Sequence, residues 1–218
     1  MFLLTISINI NVYSIAYAQQ HKDSNTNNNN NDPNQSSMSK PIVHVSIEGT
    51  PTNDKVRGGD GNDNLDGKDG DDTLNGEQGD DTISGDVGND KLNGQLGDDE
   101  VEGGEGNDHI KGESGDDKIT GDEGNDRLEG GKGNDDVDGG EGNDNLKGGE
   151  GNDKVEGGEG NDQVEGGEGK DKLKGGDGAD SFICDIADKV SDFNSAEGDE
   201  ISGQCTAIDE SQPETDKA

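Results

Sequence analysis

One apolar residue recurs at every ninth position from Leu65 to Phe182, and the residues between are almost all polar or glycine. Each nine-residue unit has glycine at places one and four, aspartate at place six and the apolar residue at place eight. The pattern runs through 14 units over residues 58–183 without an insertion. Paired glycines favour turns with positive φ, and the polar–apolar–polar triplet at places seven to nine alternates as a half-buried strand does. Each unit therefore predicts a turn followed by a three-residue strand.

The nine-residue period also predicts how the units stack. A strand that buries one aliphatic side chain needs a second strand opposite it, so nine residues form half a coil and 18 residues form a full coil. Stacked coils then place odd units in one parallel sheet and even units in another, with two aliphatic columns between them. We expect an all-β parallel β-roll solenoid of about 14 nonapeptide repeats, with a short C-terminal β cap.

The composition of the chain is unfavourable for folding unless a further stabilising interaction contributes. Hydrophobic residues make up 22% of the chain and aromatic residues 2%, and 53 acids against 17 Lys and Arg give a net charge of −36. Such a composition is typical of disordered chains, although disorder gives no reason to hold the apolar position in phase. The charge disfavours nucleic acid as a partner, since phosphates would be repelled. It predicts that cations take part in folding.

The stacked turns indicate where the cations bind. The coil places Asp63 directly below Asp81 at a spacing of ~4.8 Å, and carboxylates this close repel one another unless a cation lies between them. Glycine turns leave carbonyl oxygens free to face the same cation. Carboxylate and carbonyl oxygens are the ligands of Ca²⁺, whereas Mg²⁺ keeps its waters and fits such a cage poorly. An EF-hand is excluded because Leu65 stands where that loop requires glycine.

The units GGDGNDNLD, GGEGNDHIK, GGKGNDDVD and GGDGADSFI match the pattern GGxGxDxUx, in which U is apolar. The chain therefore resembles the RTX (repeats-in-toxin, haemolysin-type) calcium-binding repeat family. The resemblance implies a right-handed parallel β-roll in which each calcium lies between a turn and the turn one coil further on. It assigns the side-chain ligand to the sixth-place aspartates, which are Asp63, Asp72, Asp81, Asp90, Asp99, Asp108, Asp117, Asp126, Asp135, Asp144, Asp153, Asp162, Asp171 and Asp180. The degenerate unit GTPTNDKVR contributes Asp54 to the same predicted set.

Seven turns on each side leave six gaps per side, so we expect about 12 Ca²⁺ per chain. Ion binding then supplies folding energy, and the calcium-free chain should be largely disordered.

Six units carry a side chain in place of glycine at place two, and these residues must adopt the turn conformation that glycine adopts in the other units. These residues are Lys68, Glu77, Asp86, Gln95, Glu113 and Asp122.

The flanking segments predict an exported protein. Residues 1–18 have the apolar stretch and the Ala16-Tyr17-Ala18 ending of a cleaved signal peptide, with an uncleaved anchor as the alternative. We assign residues 19–40 to a disordered Asn-rich linker, 41–57 to an N-terminal capping strand and the degenerate repeat, 58–183 to the roll, 184–205 to the cap and 206–218 to a disordered tail. Export favours a disulfide between Cys184 and Cys205 over two reduced thiols.

No catalytic motif accompanies the repeats. His21, His44 and His109 are scattered, and neither H-E-x-x-H nor G-x-S-x-G is present, so we do not expect an enzyme. The predicted function is that of a secreted or cell-surface calcium-binding protein, expected to be a monomer without a membrane span after signal cleavage. The alternative is a calcium-dependent adhesion module that engages a cell-surface polymer or partner protein.

Overall fold

The computed structural model describes residues 43–207, which form 19 β-strands and no helix. The described residues therefore contain no helix suited to crossing a membrane. The predicted signal peptide, the Asn-rich linker and residues 208–218 of the predicted tail lie outside the described residues.

The strands alternate between two parallel sheets. The first sheet contains β1 (Ser46–Glu48), β3 (Asn64–Asp66), β5 (Thr82–Val87), β7 (Glu100–Glu105), β9 (Lys118–Glu123), β11 (Asp136–Glu141), β13 (Lys154–Glu159), β15 (Lys172–Asp177), β17 (Lys189–Val190) and β19 (Thr206–Ala207). The second sheet contains β2 (Lys55–Asp60), β4 (Thr73–Gln78), β6 (Lys91–Leu96), β8 (His109–Ser114), β10 (Arg127–Lys132), β12 (Asn145–Gly151), β14 (Gln163–Gly169), β16 (Ser181–Cys184) and β18 (Glu200–Gly203).

The predicted β-roll is confirmed. Through the repeats, each strand pairs in parallel with the strand 18 residues away, so that Leu128 lies opposite Leu146 in the second sheet and Val137 opposite Val155 in the first. All 14 place-eight residues are buried, with at most 1% of each exposed, and they join in one apolar cluster between the sheets. One side chain per strand therefore makes up most of the core.

The strands are longer than the three residues that the alternation predicts. Most of them run for six residues, because pairing continues past place nine into places two and three of the next unit. Gly131 and Lys132 pair with Gly149 and Glu150 in this way, while the intervening glycine at place one leaves the ladder. The alternation of side chains stops at place nine, so it does not predict backbone pairing in the glycine-rich part of the unit.

The side chains at place two adopt the turn conformation, as the sequence predicts. Lys68, Glu77, Asp86, Gln95, Glu113 and Asp122 have φ between 69° and 83°, and they are the only non-glycine residues with positive φ among residues 43–207. Glycines at the same place have larger φ values, such as 109° at Gly104. A side chain is therefore accommodated by a modest change in φ.

Both ends of the roll continue its parallel pairing. At the N-terminal end β1 pairs with β3, with Ile47 opposite Leu65, and so adds half a coil to the first sheet. At the C-terminal end β17 pairs with β15, and β18 pairs with β16. Thr206 and Ala207, which the sequence assigns to the tail, form β19 and pair with β17. A disulfide joins Cys184 to Cys205 across this end.

Place four tolerates a side chain less well than place two. A Cβ on Gly106, at place four, would lie 1.6 Å from the carbonyl oxygen of Gly88 and 2.6 Å from its carbonyl carbon, and these backbone atoms cannot move aside as a flexible side chain could. We expect Gly106→Ala to destabilise the calcium-saturated protein by roughly 3 kcal/mol. Gly104→Ala, at place two of the same turn, should cost only roughly 1 kcal/mol, because natural units accept side chains there. Thermal unfolding of both variants measures the difference, and equal losses would contradict this interpretation.

Candidate metal centre

The turns bring the predicted aspartates together in two columns. One column holds Asp63, Asp81, Asp99, Asp117, Asp135, Asp153 and Asp171, and the other holds Asp72, Asp90, Asp108, Asp126, Asp144, Asp162 and Asp180. Each side chain is at most 3% exposed, although each follows directly on a solvent-exposed turn residue. Burial of seven carboxylates in each column is costly, so their hydrogen bonds decide what the columns do.

One oxygen of each carboxylate is satisfied by the coil below. The Asp99 backbone N–H donates to Oδ1 of Asp117 at 2.9 Å, and the Asp117 N–H donates to Oδ1 of Asp135 at the same distance. The same bond recurs at each step of both columns within the repeats. This hydrogen bond fixes the orientation of the carboxylate, and Oδ2 takes no part in it.

The second oxygen, Oδ2, has no hydrogen-bond partner in any of the 14 sixth-place aspartates of the complete units. Each of these Oδ2 atoms is buried away from the solvent. Oδ2 of Asp135 lies only 2.4 Å from where a Cβ would stand on Gly130, at place one of the same unit. The carbonyl oxygen of Gly148, one coil further on, lies 2.7 Å from the same point. Glycine at place one therefore keeps open a space into which a carboxylate oxygen and a carbonyl oxygen both point.

Further carbonyl oxygens face from each turn toward the next one. A Cβ on Gly104 would lie 2.0 Å from the carbonyl oxygen of Asp86, just as a Cβ on Gly106 would meet that of Gly88. No three His, Cys, Asp or Glu side chains converge on one point among residues 43–207. A metal ion here would thus take one carboxylate and several backbone carbonyls. This all-oxygen donor set fits Ca²⁺ and not Zn²⁺, which favours His and Cys.

Burial raises the pKa of these carboxyl groups from the ordinary value of 3.8. The pKa of Asp117 rises to about 7, because desolvation outweighs the hydrogen bond from the Asp99 N–H and because Asp99 and Asp135 add repulsion. The pKa of Asp126 also rises to about 7. It rises to about 6 for Asp72, Asp81, Asp90, Asp99, Asp135, Asp153, Asp162 and Asp180, and it is raised for Asp63, Asp108, Asp144 and Asp171. The ionised columns therefore oppose folding when no cation is bound.

Asp54, in the degenerate unit, differs from the other predicted ligands. It lies below Asp72 in the second column, and its N–H donates to Oδ1 of Asp72 at 2.6 Å. Its own Oδ2, however, accepts hydrogen bonds from the backbone N–H and the hydroxyl of Thr50, at 2.6 and 2.9 Å. The oxygen that is free in the complete units is thus already satisfied at Asp54.

Two aspartates that the sequence analysis missed extend the columns into the cap. Oδ1 of Asp188 accepts the N–H of Asp171 at 3.1 Å, and Oδ1 of Asp199 accepts the N–H of Asp180 at 3.0 Å. Asp188 is 1% exposed and Asp199 is 9% exposed. The sequence does carry a signal for both, since Asp188-Lys189-Val190 and Asp199-Glu200-Ile201 repeat the Asp-x-aliphatic triplet of places six to eight.

An outer ladder at place five holds the exposed side of the turns. Oδ1 of Asn125 accepts hydrogen bonds from the backbone N–H and the side-chain amide of Asn143, at 2.9 and 3.1 Å. Asp116 accepts the same two bonds from Asn134. Asn and Asp are therefore interchangeable at place five, in contrast to place six.

A comparison with protein families matches this region to one family model, the RTX calcium-binding nonapeptide repeat. The matches overlap and cover residues 46–74, 66–101, 75–110, 93–128, 102–137, 111–146, 129–164, 138–173 and 156–183. Together they span the strands from β1 to β16. No curated protein matches the sequence.

The raised pKa values predict that acid stabilises the metal-free fold. The folded carboxyl groups hold protons more tightly than the unfolded ones, so this contribution to stability is fully present below about pH 4. It is lost as the pH rises through about 6 to 7, the folded pKa values of the columns. In chelator, we expect the β-sheet circular dichroism signal to be stronger at pH 5 than at pH 7.5.

In excess calcium the same acidification should have the opposite effect, because protons compete with the ion for the carboxylates. A metal-free chain that loses β structure on going from pH 7.5 to pH 5 would show that the carboxylates do not carry the raised pKa values.

Proposed function

The chain belongs to the RTX calcium-binding nonapeptide repeat family, and from this we propose that it is a secreted or cell-surface protein that folds on binding about 12 Ca²⁺ ions between its stacked turns. The observation that carries the proposal is the row of buried Oδ2 atoms without hydrogen-bond partners, one in each complete unit. Calcium bound there supplies the positive charge and the electron-pair acceptor that these oxygens lack.

The proposed side-chain ligands are the sixth-place aspartates of the 14 complete units, from Asp63 to Asp180. Each of the gaps between complete turns takes the free Oδ2 of one turn and carbonyl oxygens of the two turns that border it, whereas Asp171 and Asp180 belong to the last complete turns and border the cap. Seven complete turns per column leave six gaps per column, which supports the figure of about 12 ions. We exclude Asp54 from the ligand set, because its Oδ2 already accepts two hydrogen bonds from Thr50, which use both lone pairs of that oxygen. We assign Asp54 instead to closing the end of its column.

Bound calcium would also neutralise much of the negative charge of the chain. About 12 divalent ions would bring the net charge of −36 to about −12, so that self-repulsion opposes a compact roll much less strongly. Because the site exists only when two coils are stacked, the free energy of binding is also free energy of folding. The chain would then remain unfolded during export and fold where calcium is millimolar.

The same pattern argues against catalysis. The carboxylates with raised pKa values recur once in each unit with the same surroundings, whereas an active site places unlike groups together. The family is a structural calcium-binding repeat, and we assign the chain to that role.

A second candidate is calcium-dependent adhesion. The outer surface of the first sheet bears exposed Glu105, Glu123 and Glu141 one coil apart, and they line a shallow groove together with Glu102 and Asp122. Carboxylates in such a row suit bridging through calcium to an anionic cell-surface polymer. This role requires that cell envelopes retain the protein in calcium and release it in chelator.

Asp117→Asn tests the ligand assignment. The asparagine keeps one oxygen for the Asp99 N–H but replaces the free Oδ2 with an amide NH₂. We expect bound calcium, measured by elemental analysis after ultrafiltration, to fall by about one ion per chain, because a hard cation loses its only carboxylate in that gap. The melting temperature in calcium should fall as well.

Asp116→Asn is the matched control. It removes the same charge from the adjacent residue, at a place where Asn125 forms the same ladder in another unit. It should bind as much calcium as the wild type. Equal calcium loss in both variants would mean that net charge, and not the sixth-place carboxylate, determines binding.

A further inference from the structure

The last gap of the first column differs from those between complete turns. The turn of residues 166–171 is complete, but the next complete turn is missing above it, and the cap loop of residues 184–188 takes its place. This loop returns Asp188 to the column 17 residues after Asp171, instead of 18. The loop thus brings a second carboxylate to a gap that would otherwise be bordered by a glycine turn.

The two carboxylates face the same space. Oδ2 of Asp171 lies 2.6 Å, and Oδ2 of Asp188 lies 3.1 Å, from where a Cβ would stand on Gly166. In the gap below, the corresponding point beside Gly148 is shared by Oδ2 of Asp153 at 2.5 Å and the carbonyl oxygen of Gly166 at 2.6 Å. The cap therefore replaces a neutral carbonyl with a carboxylate at the position where a repeat gap gathers its donors.

Both carboxylates are closed off from solvent, with 1% of each residue exposed. Oδ2 of Asp171 has no hydrogen-bond partner. Asp188 accepts the N–H of Asp171 on Oδ1 and the N–H of Asp185 at 2.7 Å on Oδ2, so its side chain is fixed in place. This single bond leaves one lone pair of Oδ2 for a cation, whereas Oδ2 of Asp54 accepts two bonds. Two buried like charges that face each other are strongly unfavourable unless a cation or a shared proton lies between them.

We propose that Asp171 and Asp188 form a further calcium site at the junction of the roll and the cap, in addition to the sites between complete turns. Asp188 lies beyond residue 183, where the family matches end, and its sequence surroundings lack the glycine turn. The site offers two carboxylates, which favour a hard divalent cation. The nearby Cys184 does not supply a thiol ligand, because it is held in the disulfide. The proposal rests on the proposed function for the identity of the ion.

The site would fasten the cap to the roll through an ion. The adjoining strand β17 is only two residues long, and few backbone hydrogen bonds hold it to the coil below. In one of them the Lys189 N–H donates to the backbone carbonyl oxygen of Asp171 at 2.9 Å. A calcium ion between Asp171 and Asp188 would therefore make closure of this end depend on calcium, as the disulfide makes it depend on oxidation.

Anomalous scattering from crystals grown in calcium tests the site directly. We expect a calcium peak within about 2.6 Å of both Asp171 Oδ2 and Asp188 Oδ2, together with peaks in the repeat gaps. Peaks in the repeat gaps without one at Asp171 and Asp188 would overturn this inference and leave the proposed function intact. A map without calcium in any gap would overturn both.

Variants extend the test to solution. Asp188→Asn and Asp171→Asn should each lose about one bound calcium per chain relative to the wild type. Asp171→Asn keeps the oxygen that accepts the Asp153 N–H, so it tests the site even where Asp188→Asn disturbs the loop. Asp185→Asn is the control, because Asp185 is exposed and needs only one oxygen for the Ala187 N–H. Wild-type calcium content in both test variants would refute the site.

Discussion

Repulsion between buried carboxylates stacked one coil apart is the constraint on which the rest of this structure depends. The hydrogen bond from the coil below orients each carboxylate but satisfies only Oδ1, and Oδ2 remains buried without a partner. The core offers little to offset this cost, because each coil buries only two aliphatic side chains, such as Leu128 and Val137. The fold is therefore stable only to the extent that something neutralises the columns, and calcium, with its preference for six to eight oxygen ligands, matches what the turns present.

Glycine has a different task at each place of the unit. At place one it leaves room beside Oδ2, and at place four it lets a carbonyl oxygen of the previous coil approach within a distance that a Cβ would forbid, as at Gly106. Place two needs only positive φ, which Gln95 and Asp122 also adopt. The second column ends where the protein satisfies Oδ2 itself, through Thr50 at Asp54 and through the Asn194 N–H at Asp199.

The periodic features of the fold and the site could be predicted from the sequence, because one nine-residue rule determines them. The coil length, the buried place-eight residues, the burial of the sixth-place aspartates and the positive φ of Lys68 all follow from it. The features that depart from the period could not be predicted in this way. Asp188 and Asp199 return to the columns after 17 and 19 residues, and the satisfaction of Asp54 depends on Thr50 in a degenerate unit. The six-residue strands depend on backbone pairing of glycines, which no side-chain pattern reports.

In the proposed function, calcium binding and folding of this chain are one event. A titration of residues 19–218 with calcium, followed by far-ultraviolet circular dichroism with magnesium as the control, tests it most directly. We expect a cooperative change from coil to β structure at millimolar or lower calcium, and little response to magnesium, which resists losing its waters. A chain that is already β-structured in chelator at neutral pH, or that responds equally to both ions, would contradict it.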